Sequence, residues 1–206
     1  MVFTDKQKNT LFKALRQFAY FVGVLGGIFG LHLLSYIFHG KTFDEFGIAE
    51  NIQLLLLILS GSIFWFESRH NPSFELVLKC LASLCFLASC RELDAFFDRT
   101  IPFVSWRIGF IFPLFACWQA VLRKKEFIRQ CLIFFENPAF YMMCAAMFVI
   151  IPVAQCIGHG PFVSAVLGDR QVRDIKEFFE ESCETLGYLM ILFSSVEVYF
   201  DILKKK

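Results

Sequence analysis

The residues of this chain best suited to chemistry are carboxylates set directly against long apolar runs, where a charge is costly unless it is paired, protonated or metal-bound. Three segments bring such groups. Glu50-Asn51-Ile52-Gln53 opens one apolar run, and Glu50 and Gln53 share a helix face at a spacing of three. Arg91-Glu92-Leu93-Asp94-Ala95-Phe96-Phe97-Asp98-Arg99 closes another; in a helix Arg91, Asp94 and Asp98 line one stripe. Asp169 to Glu184 leads into the last apolar run, with Glu177, Glu181 and Glu184 on one stripe and Glu180 beside Glu184. His32 lies about six residues, roughly 9 Å, inside the end of the first run, and His39 follows it seven residues on.

Two kinds of chemistry suit this set. A Glu or His can act as a general base, which makes Glu50, Glu92, Asp94, Glu180, Glu184 and His32 the catalytic candidates. Carboxylates with a His can also hold a divalent metal and activate water, which points to Glu50, Glu92, Glu184 and His39. Gln53, Arg91 and Arg99 are then the substrate-binding candidates. The competing account is a solvated rim of weak ion pairs. Helix dipoles explain acids in first turns, which covers Asp44, Glu45, Asp169 and Asp174. The chain has no zinc-protease helix motif, phosphate-binding loop, serine nucleophile elbow or EF-hand loop.

The elements that must position these groups are membrane helices. Hydrophobic residues make up 57% of the 206, mean hydropathy is +0.58, and charged residues are 19% and clustered. Soluble domains average about a quarter charged residues. Net charge is only +1, so nothing suggests a nucleic-acid partner. A hydrocarbon core of about 30 Å needs roughly 20 mostly apolar residues. Six runs approach that length: 18–38, 47–66, 74–90, 104–122, 139–157 and 185–203. The expected fold is therefore an all-α polytopic membrane bundle of about six helices, one domain over 1–206. Asn137-Pro138 marks the start of the fifth helix, and Pro113 and Pro152 should kink the fourth and fifth. The stretch before the sixth run reads as an amphipathic helix lying in the interface. The first run is too long for a cleaved signal peptide and lacks a small-residue cleavage site.

Lys and Arg set the orientation. Lys6, Lys8, Lys13, Arg16, Arg69, Lys79, Arg123, Lys124, Lys125, Arg129, Lys204, Lys205 and Lys206 fall on one face, 13 of the 20 basic residues. That face is expected in the cytoplasm, with both termini, in a bacterial inner membrane. The acids gather on the other face, 12 of 19, a bias the positive-inside rule does not explain.

Elsewhere, Glu197 and Asp201 lie in the last run, with Glu67, Lys79 and Arg123 at similar depth as pairing partners for Glu197. Gly23 and Gly27, and Gly26 and Gly30, form two four-residue small motifs that permit close helix approach, within the bundle or in a homo-oligomer. Eight Cys lie mostly in apolar runs without redox or zinc spacing, while Cys90, Cys156 and Cys183 approach one face where a disulfide is conceivable. Three classes stay open: a structural or accessory protein with a protein partner, a membrane enzyme (hydrolase or transferase, with or without metal) acting on a lipid or lipid-linked substrate, and a small ion-coupled transporter. Membrane lipids are partners in all three.

Overall fold

A computed structural model describes residues 4–38, 47–94, 97, 105–159 and 172–203, with backbone alone at 158, 172–175 and 201–203. Every element among the described residues is helical. The helices are α1 (Asp5–Ile37), α2 (Ile48–His70), α3 (Glu75–Glu92), α4 (Ile111–Leu122), α5 (Lys124–Phe135), α6 (Pro138–Phe148), α7 (Gln155–Gly158) and α8 (Val172–Leu203). A 3₁₀ segment, Trp106–Phe110, precedes α4, and a π-helical segment, Val149–Ala154, joins α6 to α7.

Four stretches are long and apolar enough to cross a membrane: Asp5–Ile37, Ile48–His70, Pro138–Ile157 and Lys176–Phe200. The other two runs are weaker. Trp106–Leu122 is shorter, and the 18 residues of α3 include Glu75, Lys79, Arg91 and Glu92. The chain is thus an all-helical protein with several membrane-compatible helices.

Local sequence explains most of the boundaries. Thr4 and Gln7 cap α1 reciprocally, the Gln7 N–H donating to Thr4 Oγ1 and the Thr4 N–H to Gln7 Oε1 at 2.9 Å. The cap starts α1 well before the apolar run, so the basic tail is part of the helix. Asn137 Oδ1 accepts from the Ala139 N–H at 2.9 Å with Pro138 at the first helical position, as its sequence predicts. Pro152 falls inside the π-helical segment, the local form a helix takes when the proline ring and missing N–H spoil the regular ladder. Pro113 behaves differently from expectation. It lies in the first turn of α4, just after the 3₁₀ segment, where a missing N–H is cheap. The expected interfacial helix before the last span is not separate: α8 runs unbroken for 32 residues, because nothing between 172 and 203 breaks it.

Packing centres on α2, α3 and α8, with α5 and α6 completing the core through Leu57, Phe64, Leu78, Phe134, Met143, Tyr188 and Val198. α2 and α8 run parallel: Gln53, near the start of α2, meets Thr185 part-way along α8, and Glu67 lines one groove with Tyr199 near their ends. The end of the bundle where α2 and α8 begin and α3 finishes is called the upper end below. Gln130 on α5, wholly buried, caps α3 at the lower end by accepting from the Leu76 N–H at 2.7 Å while donating to Pro72 O at 3.1 Å. The segment 123–136 reads as a charged loop in sequence; it is a helix because its apolar stripe packs on α3 and α6.

α1 lies antiparallel along α8. Tyr20 stacks on Phe193 with ring centroids 5.1 Å apart, and Gly23 and Gly27 face Phe193 and Leu189. Gly26 and Gly30 face open space, so one small-residue motif serves the bundle and the other does not. At the lower end Arg16 grips the fully buried Glu197 with both arms of its guanidinium, Nε donating to Oε2 at 2.6 Å and Nη2 to Oε1. The partners expected for Glu197 are engaged elsewhere: Lys79 and Arg123 pair with Glu75 at 2.7 and 2.9 Å. The sequence spacing hid Arg16 because it comes from the far end of the chain.

Candidate functional site

At the upper end the last turn of α3 meets the first turns of α2 and the upper half of α8. Arg91 and Glu92 end α3. α8 presents Glu181, Glu184, Thr185 and Tyr188 on one stripe, and α2 presents Glu50 and Gln53. A single nitrogen of Arg91, Nη2, donates to Glu184 Oε1 at 2.8 Å and to Glu92 Oε1 at 3.3 Å. The Tyr188 hydroxyl donates to the same Glu92 oxygen at 2.8 Å. On the α2 side, Gln53 Nε2 donates to Glu181 Oε2 at 2.7 Å, to Glu181 O at 3.1 Å and to Thr185 Oγ1 at 3.1 Å.

Burial makes this network more than a rim. Gln53 is 0% exposed and Glu184 5%, and the Glu92 side chain is 8% exposed. Arg91 is different, with 43% of its side chain accessible, so the cation stands at the water boundary and the anions behind it. Burial pushes the Glu92 carboxyl above the usual carboxylate range; Arg91 and the Tyr188 hydroxyl pull it back, and Glu50 adds to the rise. Glu50 is near enough to repel both Glu92 and Glu181. Gln53 Oε1 is buried and accepts no hydrogen bond among the described residues.

Below the network lies an apolar cavity of about 230 Å³. Leu57, Leu81, Ala88, Met147, Ile150 and Ile191 are among its walls, while Arg91 and Tyr188 line its polar end. The π-helical segment around Pro152 contributes Ile150 and Ile151, so the distortion that proline imposes shapes the pocket.

The sequence-derived candidates divide accordingly. Glu50, Gln53, Arg91, Glu92 and Glu184 come together. Glu180 stays on the rim, 3.8 Å from Lys176. Asp94 is half-buried and makes no ion pair or hydrogen bond among the described residues. His32 is exposed on α1 and stacks on Phe178 at 5.1 Å. His39, Asp98 and Arg99 lie outside the described residues, as does the Asp201 side chain. Among the described residues no three of His, Cys, Asp and Glu converge as metal ligands. All eight cysteines are free, so Cys90, Cys156 and Cys183 form no disulfide in this structure. Thr185 and Tyr188 were not legible as site residues, and Glu181 only as one of a stripe. The signal that finds them is the helical repeat 181, 184, 185, 188, continuing the acid stripe into the apolar run.

Compared with known proteins, no family model, no curated protein and no solved structure matches this chain.

Proposed function

We propose that this is a multi-pass protein of a cytoplasmic membrane, with six spans and both termini inside, that binds an amphiphile from the outer leaflet. The observation that carries the reading is the cavity with a charged lip. An apolar pocket of about 230 Å³ ends against Arg91 and Tyr188, and both are held by buried carboxylates. Pockets for whole small molecules run roughly 300–1,000 Å³, so this one suits part of a hydrocarbon chain, with the head group at Arg91. Arg91 uses only Nη2 on its two carboxylates; among the described residues Nε and Nη1 carry no hydrogen bond, which leaves donors for a head group.

An acyl-chain probe tests this directly. Trp106 lines the cavity, so a variant keeping Trp106 alone (Trp65→Phe, Trp118→Phe) reports on it. A brominated monoacylglycerol added in non-brominated detergent should quench Trp106 saturably, and Ala88→Phe, which fills the pocket, should abolish saturation. Quenching that rises linearly and is the same in both proteins would refute amphiphile binding. Topology is tested separately by cysteine labelling after each span; a C-terminus on the outer face would overturn the orientation.

A second reading, a lipid-directed hydrolase or transferase, is favoured by one feature. Glu92, its carboxyl raised by burial and bonded to the Tyr188 hydroxyl, has the makings of a general acid. Transport is less well supported. Two mid-bundle hydroxyls are spent on backbone, Ser60 on Leu56 O and Ser194 on Ala139 O.

A further inference from the structure

A second groove, of about 500 Å³, lies toward the lower end of the bundle between α3 and α4, with Trp65 of α2 on its wall. α3 climbs away from the lower end while α4 descends to it, so polarity is sorted along the groove. Phe86 and Phe112 meet in its upper part with ring centroids 5.6 Å apart. Lys79 and Gln119 meet in its lower part, Nζ to Oε1 at 3.2 Å. The turn between α2 and α3 brings Trp65 to the depth of Lys79, since each lies about one helical turn from it. Phe112 and Phe115 are exposed on the bundle surface, so an acyl chain can enter from the side.

The polar end of this groove is built of donors. Lys79 spends two of its three N–H groups, on Glu75 Oε1 at 2.7 Å and on Gln119 Oε1. An ammonium only donates, so the Gln119 oxygen is the atom turned to Lys79, and Gln119 Nε2 makes no hydrogen bond among the described residues. Arg69 stands over the Trp65 ring, its guanidinium carbon 5.2 Å from the centroid, and its side-chain N–H groups meet no acceptor among the described residues. Charge points the same way. Glu75 and Glu126 answer Lys79 and Arg123, and Glu67 lines a different groove with Tyr199. No carboxylate lines the groove between α3 and α4, and Arg69 beside it is a surplus cation.

We infer that this groove binds an anionic phospholipid, one acyl chain lying along Phe86, Phe112 and Phe115 and the phosphodiester received by Lys79, Gln119 Nε2 and Arg69. Basic pockets between membrane helices suit such head groups, and a Trp at that depth suits the membrane interface. A zwitterionic lipid brings the same phosphate with an ammonium attached, which Lys79 and Arg69 repel. In the orientation proposed above the lipid comes from the inner leaflet; the site does not depend on the upper cavity or its ligand.

The test uses the full chain in detergent with Trp65 as its sole tryptophan (Trp106→Phe, Trp118→Phe) and lipids brominated near the glycerol end of the acyl chain. Phosphatidylglycerol should quench Trp65 saturably, at about tenfold lower concentration than phosphatidylcholine with the same chains, the worth of one to two basic residues at a lipid surface. Gln119→Glu keeps the side-chain shape and puts a negative charge beside the phosphate position. Arg69→Gln removes the surplus cation from an exposed position, where folding is not at risk. Each should bring the two lipids within about threefold of each other. Lys125→Gln, on the same basic face but not lining the groove, should leave the preference unchanged. Equal quenching by both lipids before these changes would overturn the inference. So would a preference that Lys125→Gln lowers as much as Arg69→Gln does, which would show diffuse attraction to the basic face. Ala88→Phe, which fills the upper cavity, should leave Trp65 quenching unchanged, so the two sites fail or stand separately.

Discussion

Arg91→Ala removes the one cation that Glu184 and Glu92 share. Breaking an ion pair buried on both sides costs about 3–5 kcal/mol, mostly the penalty of leaving a charge uncompensated. Here the anions are buried, but 43% of the Arg91 side chain is accessible, and an abandoned carboxylate can take up a proton. Both effects reduce the cost, to about 2–3 kcal/mol. For a chain of this size each kcal/mol moves the melting midpoint by roughly 2–4 °C, so the loss should be roughly 4–12 °C in detergent. Arg91→Lys should lose less than half of that. Both hydrogen bonds come from Nη2 alone, so one ammonium near that point replaces them without needing a planar fork. Arg91→Ala combined with Glu184→Gln should recover part of the loss, because the second change removes the stranded charge. The assay is thermal unfolding of the four proteins, arranged as a double-mutant cycle. An Arg91→Ala midpoint equal to wild type would show a headgroup anchor with no structural role. Strict additivity of the two changes would show that the pair is not coupled.

Three further outcomes are expected. Glu92→Gln should flatten the pH dependence of stability: burial raises the native Glu92 carboxyl, so the unfolded chain gives up that proton first, and wild-type stability falls as pH climbs from the ordinary carboxylate range through the raised native value. Thermal midpoints across mildly acidic to neutral pH measure it, and an unchanged slope in the variant would contradict the assignment. Glu197→Ala should be destabilising, by up to about 3–5 kcal/mol, because it removes the buried carboxylate that Arg16 grips, and Arg16→Lys should be harmful too, since this pair uses both arms of the guanidinium; unfolding in denaturing detergent measures both. Gln130→Ala should cost about 1–3 kcal/mol by uncapping α3 from a neighbouring helix, seen as a lower midpoint together with faster proteolysis near 72–76.

Local chemistry written in consecutive residues was readable from the chain alone. Membrane character followed from apolar run length, and the Asn137-Pro138 helix start from cap and proline preferences, because both depend only on near neighbours. The Thr4–Gln7 cap is the same kind of signal. The acid stripe of α8 was visible for the same reason, since helical spacing alone sets it. What tertiary structure decided was partnership. Arg16 reaches Glu197 across 181 positions and Arg91 reaches Glu184 across 93, and no spacing rule connects residues so far apart. The same holds for Gln130, a charged-segment residue that caps another helix, and for Asp94, which shares its stripe with Arg91 yet stays out of the network. Helix boundaries are set by energies local to a turn. Which buried charges meet is set by how α1, α2, α3 and α8 pack, and a buried charge is tolerated only where that packing brings its counterpart.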